Sequence, residues 1–186
     1  MSSDCRRLDR LPPKWRAFLE DLDAMLDAPV IVHCIGGFVL VANYGATRTT
    51  KDIDYLFEFS ETGRDLQSIA GEGTLLAKKH GVYVQRVTVA CYPEDYETRI
   101  EEIFPGELRN LRLMALDAYD LILTKLDRNN DNDRADAKFL ASKLKLEGAV
   151  FRERYVKEFR PNFVGDDKKL DLTFKLWMEA YFGDTT

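Results

Sequence analysis

Two adjacent glycines constrain this chain more than any other feature, because of what stands on either side of them. Pro29-Val-Ile-Val-His-Cys-Ile35 is an apolar, β-rich run of strand length, and Phe38-Val-Leu-Val-Ala-Asn-Tyr44 reads as a helix closed by Gly45. A strand that hands over to a helix through Gly36-Gly37 sets the outward-pointing first amides of the helix beside backbone without Cβ atoms. Another group can approach there closely, and an anion is favoured. A phosphate suits that corner.

A loop carrying Arg48, Thr50 and Lys51 then leads to Asp52-Ile-Asp-Tyr-Leu-Phe-Glu-Phe59, which alternates with period two. The alternation predicts a strand with Ile53, Tyr55, Phe57 and Phe59 on a buried face and Asp52, Asp54, Leu56 and Glu58 on the other. Asp52 and Asp54 then share a side with Cα atoms roughly 6.5 Å apart, so their carboxylates can converge on one or two hard cations. Such ions activate an attacking oxygen and neutralise a polyphosphate during in-line phosphoryl displacement. Taken singly, Gly-Gly also fits a tight turn and Asp-x-Asp the wet face of a strand.

The order of these parts resembles the active-site signature of the nucleotidyltransferase superfamily that includes DNA polymerase beta. The resemblance implies that Gly36 and Gly37 cradle nucleotide phosphates and that Asp52 and Asp54 bind Mg²⁺ or Mn²⁺. Arg48-x-Thr50-x-Asp52-Ile53-Asp54 after Gly36-Gly37 is similar to small bacterial nucleotidyltransferase-like proteins related to the toxin component of abortive-infection systems. It differs from the Gly-Ser form of the minimal and aminoglycoside-modifying enzymes. Arg48 and Thr50 are then expected to order the loop or touch the phosphates. Leu116 to Arg128, followed by Asn132-Asp-Arg-Ala-Asp-Ala-Lys-Phe-Leu140, resembles the family's lysine-bearing helix and acidic helix start. The resemblance implies a phosphate contact for Lys125, a helper role for Arg128, an acidic site role for Asp133 and a companion role for Asp136. It extends to the ending Leu172 to Tyr181.

From the residues alone, Leu121, Ile122, Leu123 and Leu126 anchor that helix, and Lys125 lies on a neighbouring stripe from which it can reach inward. An exposed lysine and ordinary first-turn acids fit the same pattern. Many superfamily members also carry a third carboxylate on a later strand, whereas the corresponding run here, Val82 to Ala90, contains none. Arg86, Thr88 or Ala90 stands where that acid is expected. Two readings stay open: Asp133 supplies the base from the helical side, or the protein is catalytically degenerate.

With 186 residues, 45% hydrophobic content and eleven phenylalanines, the chain can bury a substantial core. A net charge of −5 and a pI near 5.2 argue against a protein that coats nucleic acid without specificity. Arg152, Arg154, Lys157 and Arg160, interleaved with Tyr155 and Phe159, form a local basic stretch that suits an RNA strand, an acidic partner or a solvated helix face. Cys5, Cys34 and Cys91 lack disulfide or zinc spacing and read as reduced thiols. His33 is expected as a core or edge histidine, and His80 as a helix C-terminal residue. No apolar stretch is long enough to span a bilayer, and the arginine-led start lacks the apolar core of a secretory signal, so a cytoplasmic location is expected.

The fold expectation is an α/β (α+β) chain: a nucleotidyltransferase-like mixed sheet flanked by helices, with a helical C-terminal part. An α/β core over residues 1–116, led by a helix at Lys14–Leu26, precedes a helical part over 117–186 that closes one side of the nucleotide cleft; one compact domain is the alternative. Further strands are expected at Val82–Ala90 and Leu108–Leu116, and helices from Asp117, at Asp133–Leu146, Ala149–Phe159 and Lys168–Phe182. In the last helix Leu172, Leu176, Trp177 and Met178 read as packing residues. The resemblance implies transfer of a nucleoside monophosphate from a nucleoside triphosphate to a hydroxyl of RNA, protein or a small molecule. A cognate antitoxin and a phage-defence setting belong to the same expectation. The alternatives are a degenerate nucleotide-binding or regulatory module and an interaction module without nucleotide.

Overall fold

Pro12 and Pro13 start the first helix, α1 (Pro13–Ala24), where a missing amide costs nothing. The computed structural model describes residues 7–61, 63 and 65–183; Cys5 and the start of the chain at 1–6 lie outside that range. Within α1, Trp15, Phe18, Leu19 and Leu22 recur at helical spacing and are buried, as is Leu26 just beyond. Strand β1 (Val30–Ile35), helix α2 (Gly36–Tyr44) and strand β2 (Asp52–Ser60) follow, with Gly45 at φ 65° closing α2. The helical stretch after β2 divides at Gly71 and Gly73 into α3 (Leu66–Ala70) and α4 (Leu75–His80). Strands β3 (Tyr83–Arg86), β4 (Glu101–Glu102) and β5 (Leu111–Ala115) complete a mixed sheet of order β3-β2-β1-β5-β4. Two of its contacts are parallel, β1 with β5 and β2 with β3.

The chain forms two compact units. One comprises the chain to Thr88 together with Ile100–Leu116, and the other Val89–Arg99 with Asp117 onward. In the first unit, Asp23 near the end of α1 accepts the backbone amides of Arg109, Asn110 and Leu111 at 2.7–2.9 Å and so fixes the entry to β5. His80, the last residue of α4, sets Nε2 2.7 Å from Asp21 on α1. Lys79 and then His80 hold the Asp21 carboxyl below its usual range.

Strand β2 departs from simple alternation. Its pairing with β1 shifts between His33 and Cys34, so that Cys34 pairs with Tyr55 and His33 with Phe57, leaving Leu56 as an extra residue. A bulge of this kind turns the rest of the strand over. Tyr55 and Leu56 are both buried, while Phe57 and Phe59 move to the face of Asp52, Asp54 and His33, and Phe59 is exposed. The expectation that Phe57 and Phe59 join the buried face of Ile53 and Tyr55 is therefore corrected. So is the placing of Leu56 and Glu58 beside the aspartates. Glu58 accepts the Leu66 amide at 2.9 Å and the Tyr55 hydroxyl at 3.3 Å on the opposite face. Burial, with a smaller push from Asp65, raises its carboxyl despite those bonds.

Strand β3 is also shorter than the run Val82–Ala90 suggests, ending at Arg86. The Arg86 amide donates to the Gln67 side-chain oxygen at 3.0 Å.

The second unit is helical: α5 (Ala118–Leu123), α6 (Asp131–Leu144), α7 (Gly148–Arg154) and α8 (Asp167–Phe182), with a π-helical turn at Tyr155–Phe159 continuing α7. Phe182, Phe151, Phe174 and Tyr155 stack in series with ring centroids 4.6, 5.5 and 3.8 Å apart. A charge network runs beside them. Arg99 donates to both oxygens of Asp120, which is fully buried, and to Glu158 at 2.6 Å, while Arg154 reaches Asp117 at 2.6 Å and Asp120 at 2.8 Å. Arg154 is thus turned inward. Lys157 pairs with Glu153, Arg160 with Asp167 and Asp171, and the Arg152 guanidinium lies over the Phe174 ring at 5.9 Å, so all four basic residues from 152 to 160 are engaged within this unit. Leu172 and Leu176 are more than half exposed, contrary to the packing role expected of them, whereas Trp177 and Met178 are buried. The Trp177 indole donates to the Asn129 side chain at 3.2 Å. Among the described residues no helix is long and apolar enough to cross a membrane.

Candidate functional site

The candidate residues fall into two groups, one in each unit. In the first unit the group is built by the passage from β1 to α2. Gly36 adopts φ 74°, a left-handed value that glycine tolerates and a Cβ disfavours. A Cβ there would stand 2.3 Å from Oδ2 of Asp54, and one at Gly37 would stand 2.9 Å from the Arg48 guanidinium and 3.2 Å from the Thr50 hydroxyl. The two glycines are therefore in contact with the loop and strand that follow the helix. Pairing of Ile35 with Asp54 sets the carboxylate beside the turn. The Thr50 hydroxyl donates to Asp52 Oδ1 at 2.7 Å and fixes that carboxylate. Gly36, Gly37, Arg48, Thr50, Asp52 and Asp54 meet in one corner.

Ile35 carries no polar side chain with which to cap the first amides of α2. That leaves a helix start suited to an anion beside two carboxylates suited to a cation. Among the described residues no cluster of three or more His, Cys, Asp or Glu is disposed to hold a metal. A pair of hard oxygen donors matches a small divalent cation that completes its shell with phosphate oxygens and water. Asp52 and Asp54 are the residues that would hold it.

The parallel register of β3 on β2 places Tyr83 beside Asp52 and Gln85 beside Asp54, and parallel partners share a face. Burial, then Asp52, Glu72 and Asp54, push the Tyr83 phenol above its usual range. Arg86 pairs with Tyr55 and so lies on the opposite face, and Thr88 and Ala90 lie beyond the strand. None of the three takes the place expected of a third strand residue; Tyr83 and Gln85 do. The signal for them lies in the register, which the sequence does not display.

In the second unit Lys125 lies in the turn that follows α5 rather than within the helix. It is buried, 2.9 Å from Asp136 and 3.6 Å from Asp133. Arg128 grips Asp133 with two bonds of 2.8 and 2.6 Å, and the Asn130 amide adds a third at 3.2 Å as part of a capping box. Burial pushes the Asp133 carboxyl up, but Arg128, Lys125 and the Asn130 amide outweigh it and hold the group below the ordinary range. Asp133 is an anion with both oxygens engaged. The arrangement fixes the direction of Lys125 and Arg128, two cations suited to phosphate.

Residues 14–160 match the model of a family described as "Nucleotidyltransferase of unknown function (DUF6036)". The chain belongs to this family. The matched range takes in both groups, from Gly36 to Asp136, and stops before α8, so the resemblance read in Leu172 to Tyr181 lies outside it. No curated protein and no solved structure matches the chain. A glycine turn packed on a carboxylate pair is an arrangement that suits a phosphate beside a cation.

Proposed function

We propose that the protein transfers a nucleoside monophosphate from a nucleoside triphosphate to a hydroxyl acceptor, with Mg²⁺ or Mn²⁺ required. The observation that carries this reading is the contact of the Gly36 backbone with Asp54, in the corner where Thr50 holds Asp52. The Gly36 and Gly37 amides and Arg48 bind the triphosphate; in the second unit, considered by itself, Lys125 and Arg128 are held in direction by Asp136 and Asp133 as cations suited to a phosphate. Asp52 and Asp54 would hold the cation, which would supply charge neutralisation at the α-phosphate and a more acidic acceptor hydroxyl. Tyr83 stands beside Asp52 on the face of the carboxylate pair, where it orients the acceptor hydroxyl once that hydroxyl is at the pair. Asp133 acts through Lys125 and Arg128, since a carboxyl held below its usual range is a weak base.

The acceptor is a hydroxyl of RNA, protein or a small molecule. A toxin paired with a cognate antitoxin, in phage defence, is the setting implied by the resemblance of the Arg48 to Asp54 stretch to abortive-infection relatives. A second reading draws on the absence of an acid at Tyr83 and Gln85: a nucleotide-binding or regulatory module without turnover.

Incubation with α-labelled triphosphates, Mg²⁺ or Mn²⁺ and a mixture of RNA, protein and metabolite acceptors separates the two. Metal-dependent label transfer that disappears in Asp54→Ala is the expected result. Saturable nucleotide binding without transfer to any acceptor refutes turnover and leaves the second reading.

A further inference from the structure

The bulge at Leu56 has put an aromatic surface on the same face of the sheet as the carboxylates. Phe57 and Phe59 lie against the ring of His33, with centroids 6.3 and 5.2 Å away, and Phe59 is 51% exposed. Counted along the paired register at about 3.4 Å per position, Phe57 stands roughly 7 Å from Asp54 and Phe59 about 14 Å. These rings lie down the sheet from the carboxylates, and the glycine turn lies up it.

In-line displacement requires the attacking oxygen to approach the α-phosphorus opposite the departing pyrophosphate. With the phosphates on Gly36 and Gly37, the acceptor arrives from the side of His33, Phe57 and Phe59. The geometry points to this aromatic face as the acceptor subsite, for an uncharged planar-ring alcohol of the nucleoside type; the assignment rests on the nucleotidyl-transfer reading above.

The rings favour stacking on a planar heterocycle. Charge then selects against a polyanion. Arg112, which pairs in register with Ile31 on this face, is bound to Glu102 at 2.9 Å, and Asp52 and Asp54 add negative charge at the upper end. A nucleic-acid strand draws its affinity from several cations along its backbone, which this face does not present among the described residues.

In the step itself the acceptor hydroxyl oxygen bonds to the α-phosphorus as the bond from that phosphorus to the β-bridging oxygen breaks. Pyrophosphate leaves with the electron pair and the hydroxyl proton passes to water.

The test is saturation-transfer NMR on the full chain with adenosine, with glycerol as a ringless polyol and with a twelve-residue oligoadenylate, with and without an ATP analogue bridged by methylene between the α- and β-phosphorus. Adenosine ring protons are expected to show transfer that survives the analogue. Phe59→Ala should weaken that binding roughly tenfold, the scale of one lost base-aromatic stack, while Phe59→Trp retains it. Four results overturn the assignment: no adenosine binding, glycerol binding equally well, binding of the oligonucleotide alone, or displacement of adenosine by the analogue, which would give the rings to the donor base. The thermal shift with Mg²⁺ and ATP, measured on wild type and Phe59→Ala, keeps the two readings apart. Its absence in wild type sinks nucleotidyl transfer, whereas its presence without adenosine binding sinks only the acceptor subsite.

Discussion

Replacement of Gly36 by alanine tests the central contact, and Gly81 provides its control. Both residues have left-handed backbones in the first unit, at φ 74° and 69°, but a Cβ at Gly81 meets nothing within 4 Å while one at Gly36 falls 2.3 Å from Asp54 Oδ2. The backbone term is common to both, roughly 1–2 kcal/mol for an L-residue in that region. For a chain of this length each kcal/mol lowers the melting temperature by about 2–4 °C, so Gly81→Ala should lose roughly 2–8 °C. Gly36→Ala must also open the contact by about 1 Å, displacing the carboxylate or the turn, which adds about 1–3 kcal/mol as for other overpacked sites. The expected outcome in circular-dichroism melts is a fall for Gly36→Ala roughly one and a half to four times that of Gly81→Ala. The stabilisation by Mg²⁺ and ATP should be lost only in Gly36→Ala. If both variants melt together and both keep the ligand shift, the close approach of Asp54 to the glycine turn is refuted.

Tyr83→Phe should lower kcat for label transfer at least tenfold and leave the KM for the triphosphate unchanged; equal activity would remove Tyr83 from the acceptor side. Lys125→Met takes away the cation between Asp133 and Asp136 and should cost about 3 kcal/mol in urea unfolding, near the low end for a broken buried pair because Arg128 still faces Asp133. Addition of Asp136→Leu should recover part of that loss. Because the Asp133 carboxyl is held below its ordinary range, its stabilisation is complete above the unfolded value of about 3.9 and is lost as pH falls through the folded one. Asp133→Asn should therefore flatten the acid limb of a pH-stability profile below about pH 4. Burial pushes the Cys91 thiol up to about 11, so in a Cys5→Ser background its alkylation should be slow at pH 8 and accelerate towards pH 11; rapid labelling at pH 7 would contradict its half-buried setting.

Elements with a strong period were legible in the sequence. The stripe from Trp15 to Leu22, the strand-glycine-helix passage and the alternation at Asp52 to Tyr55 each depend on near neighbours, and the structure places them where that spacing predicts. What escaped depends on partners distant in the chain. The extra residue at Leu56 exists only relative to β1, and a period-two pattern counted across it assigns Phe57, Glu58 and Phe59 to the wrong faces. Tyr83 and Gln85 gain their place from a parallel register with β2. Arg154 looks like a surface cation until Asp117 and Asp120, more than thirty positions earlier, are set opposite it. In the candidate site the corner from Gly36 to Asp54 follows from local pattern, while the grip of Arg128 on Asp133 needs the turn between α5 and α6.

The segment from Val89 to Arg99 leaves the sheet-bearing unit and returns to it at Ile100, having contributed Arg99 to the network of Asp120 and Glu158. A gene fragment ending at residue 116 would consequently carry this arginine without either carboxylate, and its complement would hold a buried Asp120 lacking one of its two guanidinium partners. Fragments cut there are expected to misfold or to reassociate when mixed.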